Sequence, residues 1–341
     1  MNAVDLITGG CGFIGRQLAQ SIIATGRRVR VLDCGDPRGL PAGVEYRRGS
    51  ILDDAALSAA LVGIERVYHL AGDPHLWAAD RRALARVNAH GTERLLAAAP
   101  PAARIVHCSS EAVLFTGSGT DAQVRDDDLP PLDRMAGPYT RSKWLAEQAA
   151  FAAARAGGNV VIASPTVPIG PDDWNMTPPA AMLALFVTGH TPFFLDCTLN
   201  LVDVRDVAEG LRLVGEKGVA GQRYVLGGET VHLRQLLSRL ERITGRPMPS
   251  IALPGSLAMA VAIVAEWVAD HISHRSPMAV REGVRLALRS TGLDDGRARR
   301  EIGYAPRPID EALVLAVAWL TGKSVPRAEV AATARSTGFA S

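Results

Sequence analysis

Cysteine is scarce: Cys11, Cys34, Cys108 and Cys197 are the only four in 341 residues. No two stand at Cys-x-x-Cys spacing, which excludes the usual signature of a zinc ribbon or a dithiol redox centre. Four thiols spread over this length make no disulfide framework and fit reduced thiols in a cytoplasmic protein. Aromatic residues make up 5%, too few for a base-stacking platform. Charge of one sign is also missing. The 37 Lys and Arg against 35 Asp and Glu leave a net +2, which gives nucleic acid no electrostatic footprint. The first residues lack a basic stretch followed by an apolar core, so no secretory signal is expected. The longest apolar stretch, Ile251 to Ile272, is broken by Pro254, Gly255, Glu266 and Asp270. Its clean part, Leu257 to Ala265, falls short of the roughly 20 residues that cross a bilayer. A buried helix is expected there. The alternative is a helix that lines the pocket of a lipid-like molecule or rests on a membrane surface.

What is present is ordinary globular composition, 48% apolar and 21% charged. Through residue 165 short β-rich runs alternate with helical patterns. Strands are predicted at Val4–Thr8, Arg28–Asp33, Val44–Arg47, Arg66–Leu70, Arg104–Ser109 and Asn159–Ala163. Helices are predicted at Phe13–Thr25, Asp53–Leu61, Asp80–Ala99 and Pro138–Ala156. This alternation predicts an α/β fold with a doubly wound parallel sheet. Prolines then punctuate the chain up to 200, and residues 250–325 read as mostly helical. The alternating pattern covers 1–165, the stretch 250–325 is a mainly helical part of its own, and 323–341 would form a frayed tail.

The first strand runs into Thr8-Gly9-Gly10-Cys11-Gly12-Phe13-Ile14-Gly15. Glycines at 9, 12 and 15, between a strand and a helix, suit a pyrophosphate. Gly9 permits the turn, Gly12 the close approach of the anion, and Gly15 the packing of the helix on the sheet. Asp33 ends the second strand, where a carboxylate accepts from adenosine ribose hydroxyls and repels a 2′-phosphate. Asp36 adds to that repulsion and Arg38 opposes it, so NAD is favoured over NADP. Asp53 is expected at the adenine edge, or else as the cap of the following helix.

Tyr139 and Lys143 stand four apart on a helix opened by Pro138, which puts them on one face. A neighbouring ammonium would lower the phenol's pKa and fit it to exchange a proton with a hydroxyl or carbonyl oxygen. Ser110, at the end of the strand Arg104–Ser109, could hydrogen-bond the same oxygen. Asn88, in the helix after the fourth strand, could hold a water or a backbone group nearby. His271 and His274 beside Asp270 have no third ligand in reach, so no metal is expected.

Thr8–Gly15, His69-Leu70-Ala71-Gly72, Asn88–Thr92, Ser109-Ser110, Tyr139–Lys143, Ser164-Pro165 and Leu201–Val207 together resemble the extended short-chain dehydrogenase/reductases, the NAD-dependent epimerase/dehydratase group. Leu76-Trp77, Pro168–Pro171, Leu226–Glu229 and Ala298–Pro308 look most like the hopanoid-associated sugar epimerase and dihydroflavonol-reductase-like branch. The resemblance implies a Rossmann domain over 1–165, to which 199–226 returns, and a smaller, mainly helical substrate domain over 166–198 and 227–322. It implies that Tyr139 is the acid/base, that Lys143 binds the nicotinamide ribose, and that Ser110 orients the substrate oxygen. It also places Phe13, Ile14, Leu70, Ala71 and Pro165 against the cofactor. Two features depart from nucleotide-sugar enzymes: no Arg precedes Val202–Val207, and Ser110 is followed by Glu111-Ala112 without a second acid. The expected pocket residues are Trp77, Glu111, Thr166, Trp174, Met176 and Phe193, an apolar set. The expected activity is an NAD(P)-dependent oxidoreductase acting on a secondary alcohol or ketone of a lipid-like, terpenoid, steroid or polyol substrate. A sugar epimerase with bound NAD and a non-catalytic dinucleotide sensor are the alternatives. Homodimer formation and peripheral membrane contact are left open.

Overall fold

The computed structural model describes residues 4–115, 125–128, 130–189, 191–290 and 292–323. The tail expected over 323–341 falls outside them from 324 onward.

Seven strands form the main sheet: β1 (Val4–Thr8), β2 (Arg28–Asp33), β3 (Glu45–Arg48), β4 (Ile64–His69), β5 (Arg104–Cys108), β6 (Val160–Pro165) and a later one, Arg223–Leu226. That last strand pairs with β6, and the order continues β5, β4, β1, β2, β3. All pairings are parallel. Every residue of β1 and of β6 is buried, because helices cover both faces. The chain leaves β1 toward β2 on one side and later adds β4 on the other. That reversal opens a crevice at the carboxyl ends of the strands.

Helix α1 (Phe13–Ala24) packs on one face of the sheet; α2 (Asp54–Leu61), α3 (Arg81–Ala85), α4 (Gly91–Ala98) and α5 (Pro138–Arg155) complete this part of the chain. The single helix expected over 80–99 is interrupted by a π turn at Arg86–His90. Asn88 sits in that turn, and such bulges re-aim a side chain within an otherwise regular helix. A buried ion pair between Arg223 and Glu147 ties the edge strand to α5, and Arg223 also donates to the carbonyls of Asp126 and Asp128, each at 2.7 Å.

Beyond β6 lie β7 (Val167–Ile169), α6 (Pro178–Val187), β8 (Phe193–Leu195), β9 (Thr198–Asp203) and α7 (Val204–Lys217). The Arg223–Leu226 strand, β10, follows, then β11 (Glu229–His232), α8 (Leu233–Thr244) and β12 (Ile251–Leu253). Helices α9 (Gly255–Val268), α10 (Arg281–Arg289) and α11 (Asp310–Leu320) come last. Val207, Ala208, Leu211 and Val214 of α7 are buried on one face and share a core with Leu18, Ala19 and Ile22 of α1, the stripe that seats one helix beside the other. Strands β7, β9 and β11 make a separate sheet, and β8 pairs with β12. A second core joins α6, α8 and α11 through Leu183, Leu236 and Leu313. The apolar stretch expected to be a buried helix is largely exposed in α9: Leu257, Val261, Val264 and Trp267 face solvent. Only Ala258, Ala262 and Glu266 of that helix are buried.

Candidate active site

The turn between β1 and α1 needs glycine at positions 9 and 15. Gly9 has φ +76°, and a β-carbon on it would stand 2.6 Å from the Ala71 backbone nitrogen. One on Gly15 would meet the Gly9 carbonyl oxygen at 2.5 Å. Gly12 is different: the nearest neighbour of a β-carbon there is the Gly9 oxygen at 3.2 Å. Gly12 caps α1 with no side-chain hydrogen bond and lines a cleft of about 1000 Å³. The first turn of α1 therefore meets the cleft with its positive end, a ready anion site. Phe13, Ile14 and Gly15 line the same wall, as do Leu70, Ala71 and Pro165.

Asp33 is fixed to this turn. Its carboxylate accepts from Cys11 N at 2.8 Å and from Gly35 N at 2.7 Å. Burial, followed by the charge of Asp33, pushes the Cys11 thiol up to about 12, so Cys11 is no nucleophile at neutral pH. Arg38, the candidate phosphate partner, donates through Nε to Asp36 at 2.6 Å. Asp53 is exposed and caps α2, its Oδ1 accepting from Ala55 N and Ala56 N. It is not part of the cleft wall, where Ser50 and Ile51 stand instead.

Ser110, Glu111, Tyr139 and Lys143 line the cleft together with the glycine turn. Lys143 Nζ donates to the Cys108 carbonyl at 2.6 Å. Burial lowers its pKa. Beneath it, burial keeps the imidazoles of His69 and His107 neutral, with Lys143 pushing each further the same way. The lowered phenol expected for Tyr139 is not found: burial raises it, while a hydrogen bond with Ser110 works in the opposite direction. Desolvation of a phenolate outweighs its neighbours here. Glu111 is buried, its Oε2 has no partner, and burial raises its carboxyl well above the usual range.

Asn88 does not itself line the cleft. Its Nδ2 donates to the Asp73 carbonyl at 3.1 Å and to Ser142 Oγ at 2.9 Å, and its Oδ1 accepts from Asp73 N at 2.7 Å. It bridges the loop after β4 to α5.

Of the expected pocket residues, Glu111, Thr166 and Trp174 line the cleft, with Leu76, Asn175 and Leu286 beside them. Trp77, Met176 and Phe193 do not. Trp77 Nε1 is drawn off to Asp270 Oδ1 at 3.0 Å. Met176 sits in a turn at φ +46° and is exposed. Phe193 faces solvent from β8 while its neighbour Phe194 is buried, as strand alternation requires.

One residue of the site is invisible to local sequence reasoning. Glu282 of α10 reaches the N-terminus of α5, where its Oε1 accepts from Thr140 N at 2.7 Å and its Oε2 from Tyr139 N at 3.0 Å. The helix has glycine, Gly137, at its N-cap. A β-carbon at Gly137 would lie 2.5 Å from Glu282 Oε2. That glycine is a local trace of a partner 143 residues beyond Tyr139.

A parallel sheet that reverses at β1, with a glycine turn opening onto a cleft at the reversal, defines a Rossmann-type α/β protein. The chain belongs to the NAD dependent epimerase/dehydratase family, whose model matches residues 6–227. This is a family of enzymes. The chain is 35% identical over 325 residues to a Synechocystis protein provisionally named as a dihydroflavonol 4-reductase, covering 92% of this chain and 93% of that one. It is 30% identical to sterol demethylase protein B of Methylococcus capsulatus, covering 92% and 97%. Among solved structures, gox2253 superposes with a TM-score of 0.81 at 33% identity, covering 94% of this chain and 98% of the other.

Proposed function

We propose that the protein is an NAD-dependent oxidoreductase that interconverts a secondary alcohol and a ketone on an apolar, terpenoid- or steroid-like substrate. The observation that carries the substrate class is the lining of the cleft beyond Lys143. Leu76, Trp174, Pro178, Pro179 and Leu286 stand there among the uncharged or acidic Asp73, Asp172, Asn175 and Thr177, and the arginines that line the cleft, Arg16 and Arg38, belong to its other end, with the glycine turn and Asp36. Two arginines of the C-terminal region are tied elsewhere: Arg281 Nε to Glu266 at 2.6 Å and Arg307 Nε to Asp206 at 2.8 Å. A diphosphate in a partly desolvated cleft needs such a cation. The names of the reductase and sterol relatives agree with this reading.

The dinucleotide fits the residues present. The turn at Gly12–Gly15 would hold the pyrophosphate, Asp33 the adenosine ribose and Lys143 the nicotinamide ribose. Asp33 and Asp36 disfavour a 2′-phosphate, and Arg38 is already paired. NAD supplies the site that accepts or returns the hydride. Tyr139 takes up or gives the proton at the substrate oxygen, and Ser110 hydrogen-bonds that oxygen. A phenol held neutral by burial suits the direction in which a ketone is protonated as it is reduced. Asn88 acts through Ser142 and the Asp73 loop as a positioning residue. Glu111, kept protonated, can donate a hydrogen bond to a second polar group on an otherwise apolar substrate.

The test is NAD with a panel of sterol, terpenoid and acyl-chain alcohols. Net NADH formation supports the oxidoreductase. Epimerised product without net NADH would promote the sugar-epimerase alternative, and binding without turnover would promote the sensor. Calorimetry with UDP-glucose on the NAD-loaded protein checks the substrate class: a micromolar or tighter dissociation constant would defeat it.

A further inference from the structure

Gly255–Ser273, α9 with the π turn that follows it, is a 19-residue helix of mean hydropathy 1.3 and by length and composition is apolar enough to cross a membrane. It is built with its polarity reversed. Leu257, Val261, Val264, Trp267, Val268 and Ile272 are exposed, Val264 by 62%, Trp267 by 55% and Ile272 by 63%. The buried face consists of Ala258, Ala262, Glu266 and Ala269. Ala258 and Ala262 pack with Val284 of α10. A helix on a soluble protein's surface normally turns its large apolar side chains inward, and a contiguous outward row marks an interaction face.

The charge around this face is complementary to an anion. Residues 251–290 contain three acids, Glu266, Asp270 and Glu282, and all three are satisfied from within. Arg281 pairs with Glu266 at 2.6 Å, Arg81 pairs with Asp270 at 2.8 Å, and the start of α5 occupies Glu282. His271, His274 and Arg275 are exposed at the C-terminal end of the row, while Arg285, on α10, donates to the Ala136 carbonyl at 2.8 Å. The apolar row thus ends at an exposed cation, Arg275, and the acids of its own segment are already engaged.

We propose that this face docks on an anionic lipid bilayer. The row from Leu257 to Ile272 enters the boundary between headgroups and acyl chains, Trp267 lies at headgroup level, and Arg275 meets lipid phosphates. The helix lies on the membrane and does not span it. Glu266, at its inner face, stays paired with Arg281, and the alanine stripe stays packed on α10, so that side has no access to lipid. A second copy of the chain fits less well, because none of the segment's three acids is free to meet a partner's cations. The helix on which α9 is seated borders the cleft: Leu286 of α10 lines it, and a β-carbon on Gly283 would stand 3.2 Å from Leu76, another lining residue.

The test uses the full chain loaded with NAD and flotation with vesicles of phosphatidylcholine, with and without phosphatidylglycerol. Binding is expected to the anionic vesicles, to weaken with added salt, and to fall at least about tenfold in Val264→Asp, which places a charge in the apolar row. Arg275→Glu should lose the preference for anionic vesicles. Neither residue lines the cleft, so NAD affinity should be unchanged in both. Absence of flotation with anionic vesicles, or flotation of Val264→Asp equal to the parent, would overturn the proposal. So would a dimer in sedimentation that Val264→Asp abolishes while vesicles bind nothing. Turnover is not the readout, so failure of the proposed reaction leaves this result standing.

Discussion

Glu282→Ala is the perturbation that tests most directly how the site is held. Its carboxylate receives Tyr139 N, Thr140 N and the Thr140 hydroxyl, the last at 2.8 Å. Gly137 offers no side chain to replace it. The hydroxyl can turn to the Gly137 carbonyl, which it already approaches at 3.1 Å, so the lasting loss is two backbone N–H partners. Loss of a helix cap costs about 0.5–2 kcal/mol, and a buried N–H left without an acceptor about 1–3 kcal/mol, two measures of the same loss. A cost of about 2 kcal/mol would move a urea midpoint by roughly 0.7 M at a slope of ~3 kcal/mol/M. The first turn of α5 also carries Tyr139, and displacement of a reacting group by about 1 Å can cost ~100-fold in rate. Turnover should therefore fall by about 10- to 100-fold, with the dissociation constant for NAD nearly unchanged, since α1 and Asp33 are remote from the cap. Glu282→Gln keeps one acceptor oxygen and should recover part of both losses. Urea unfolding, steady-state kinetics and NAD titration on the three proteins decide the matter. Parental stability and rate in Glu282→Ala would refute the argument, and lost stability with a parental rate would confine Glu282 to the scaffold.

Three further outcomes are expected. Tyr139→Phe should lose at least ~100-fold in rate while titrating NAD like the parent; full activity would remove Tyr139 from the mechanism. Asp33→Asn should weaken NAD and narrow the gap to NADP, measured by titration of both; tighter NADP binding by the parent would reverse the cofactor preference. Glu111→Gln should become the more stable protein as pH rises. The folded carboxyl titrates above its unfolded value of about 4.3, so the parent's stability is full below that value and declines as pH climbs toward the folded pKa, by roughly 1.4 kcal/mol per unit within the window. Urea midpoints across a pH series check the slope, and parallel curves for the two proteins would contradict it.

The alternation of strands and helices, the glycine turn and the Tyr139/Lys143 pair are legible in sequence because each rests on contacts a few residues apart. Gly9, Gly12 and Gly15 belong to one turn. Tyr139 and Lys143 are one helical turn apart, and Asp33 follows its own strand. The misplaced residues failed for the opposite reason. Trp77, Met176 and Phe193 carry the right chemistry for a pocket, but Asp270, a positive-φ turn and the alternation of β8 decide where they point. Asp53 had two roles open to it, and the N–H groups of Ala55 and Ala56 occupy its carboxylate. The shift of Tyr139 was expected with the wrong sign because spacing reveals a neighbouring charge and does not reveal desolvation.

What the sequence by itself determined is therefore the local machinery: a parallel α/β sheet, a phosphate-binding turn, an acid/base helix and a carboxylate for the ribose. Tertiary structure alone decided which residues complete the cleft, how α5 is capped from α10, that Glu111 is buried without a partner, and that α9 turns its large apolar side chains outward. Periodicity reports that a segment is helical and apolar. Which of its faces meets protein depends on elements far along the chain, and in α9 the alanine stripe, not the bulky one, is the face that α10 covers.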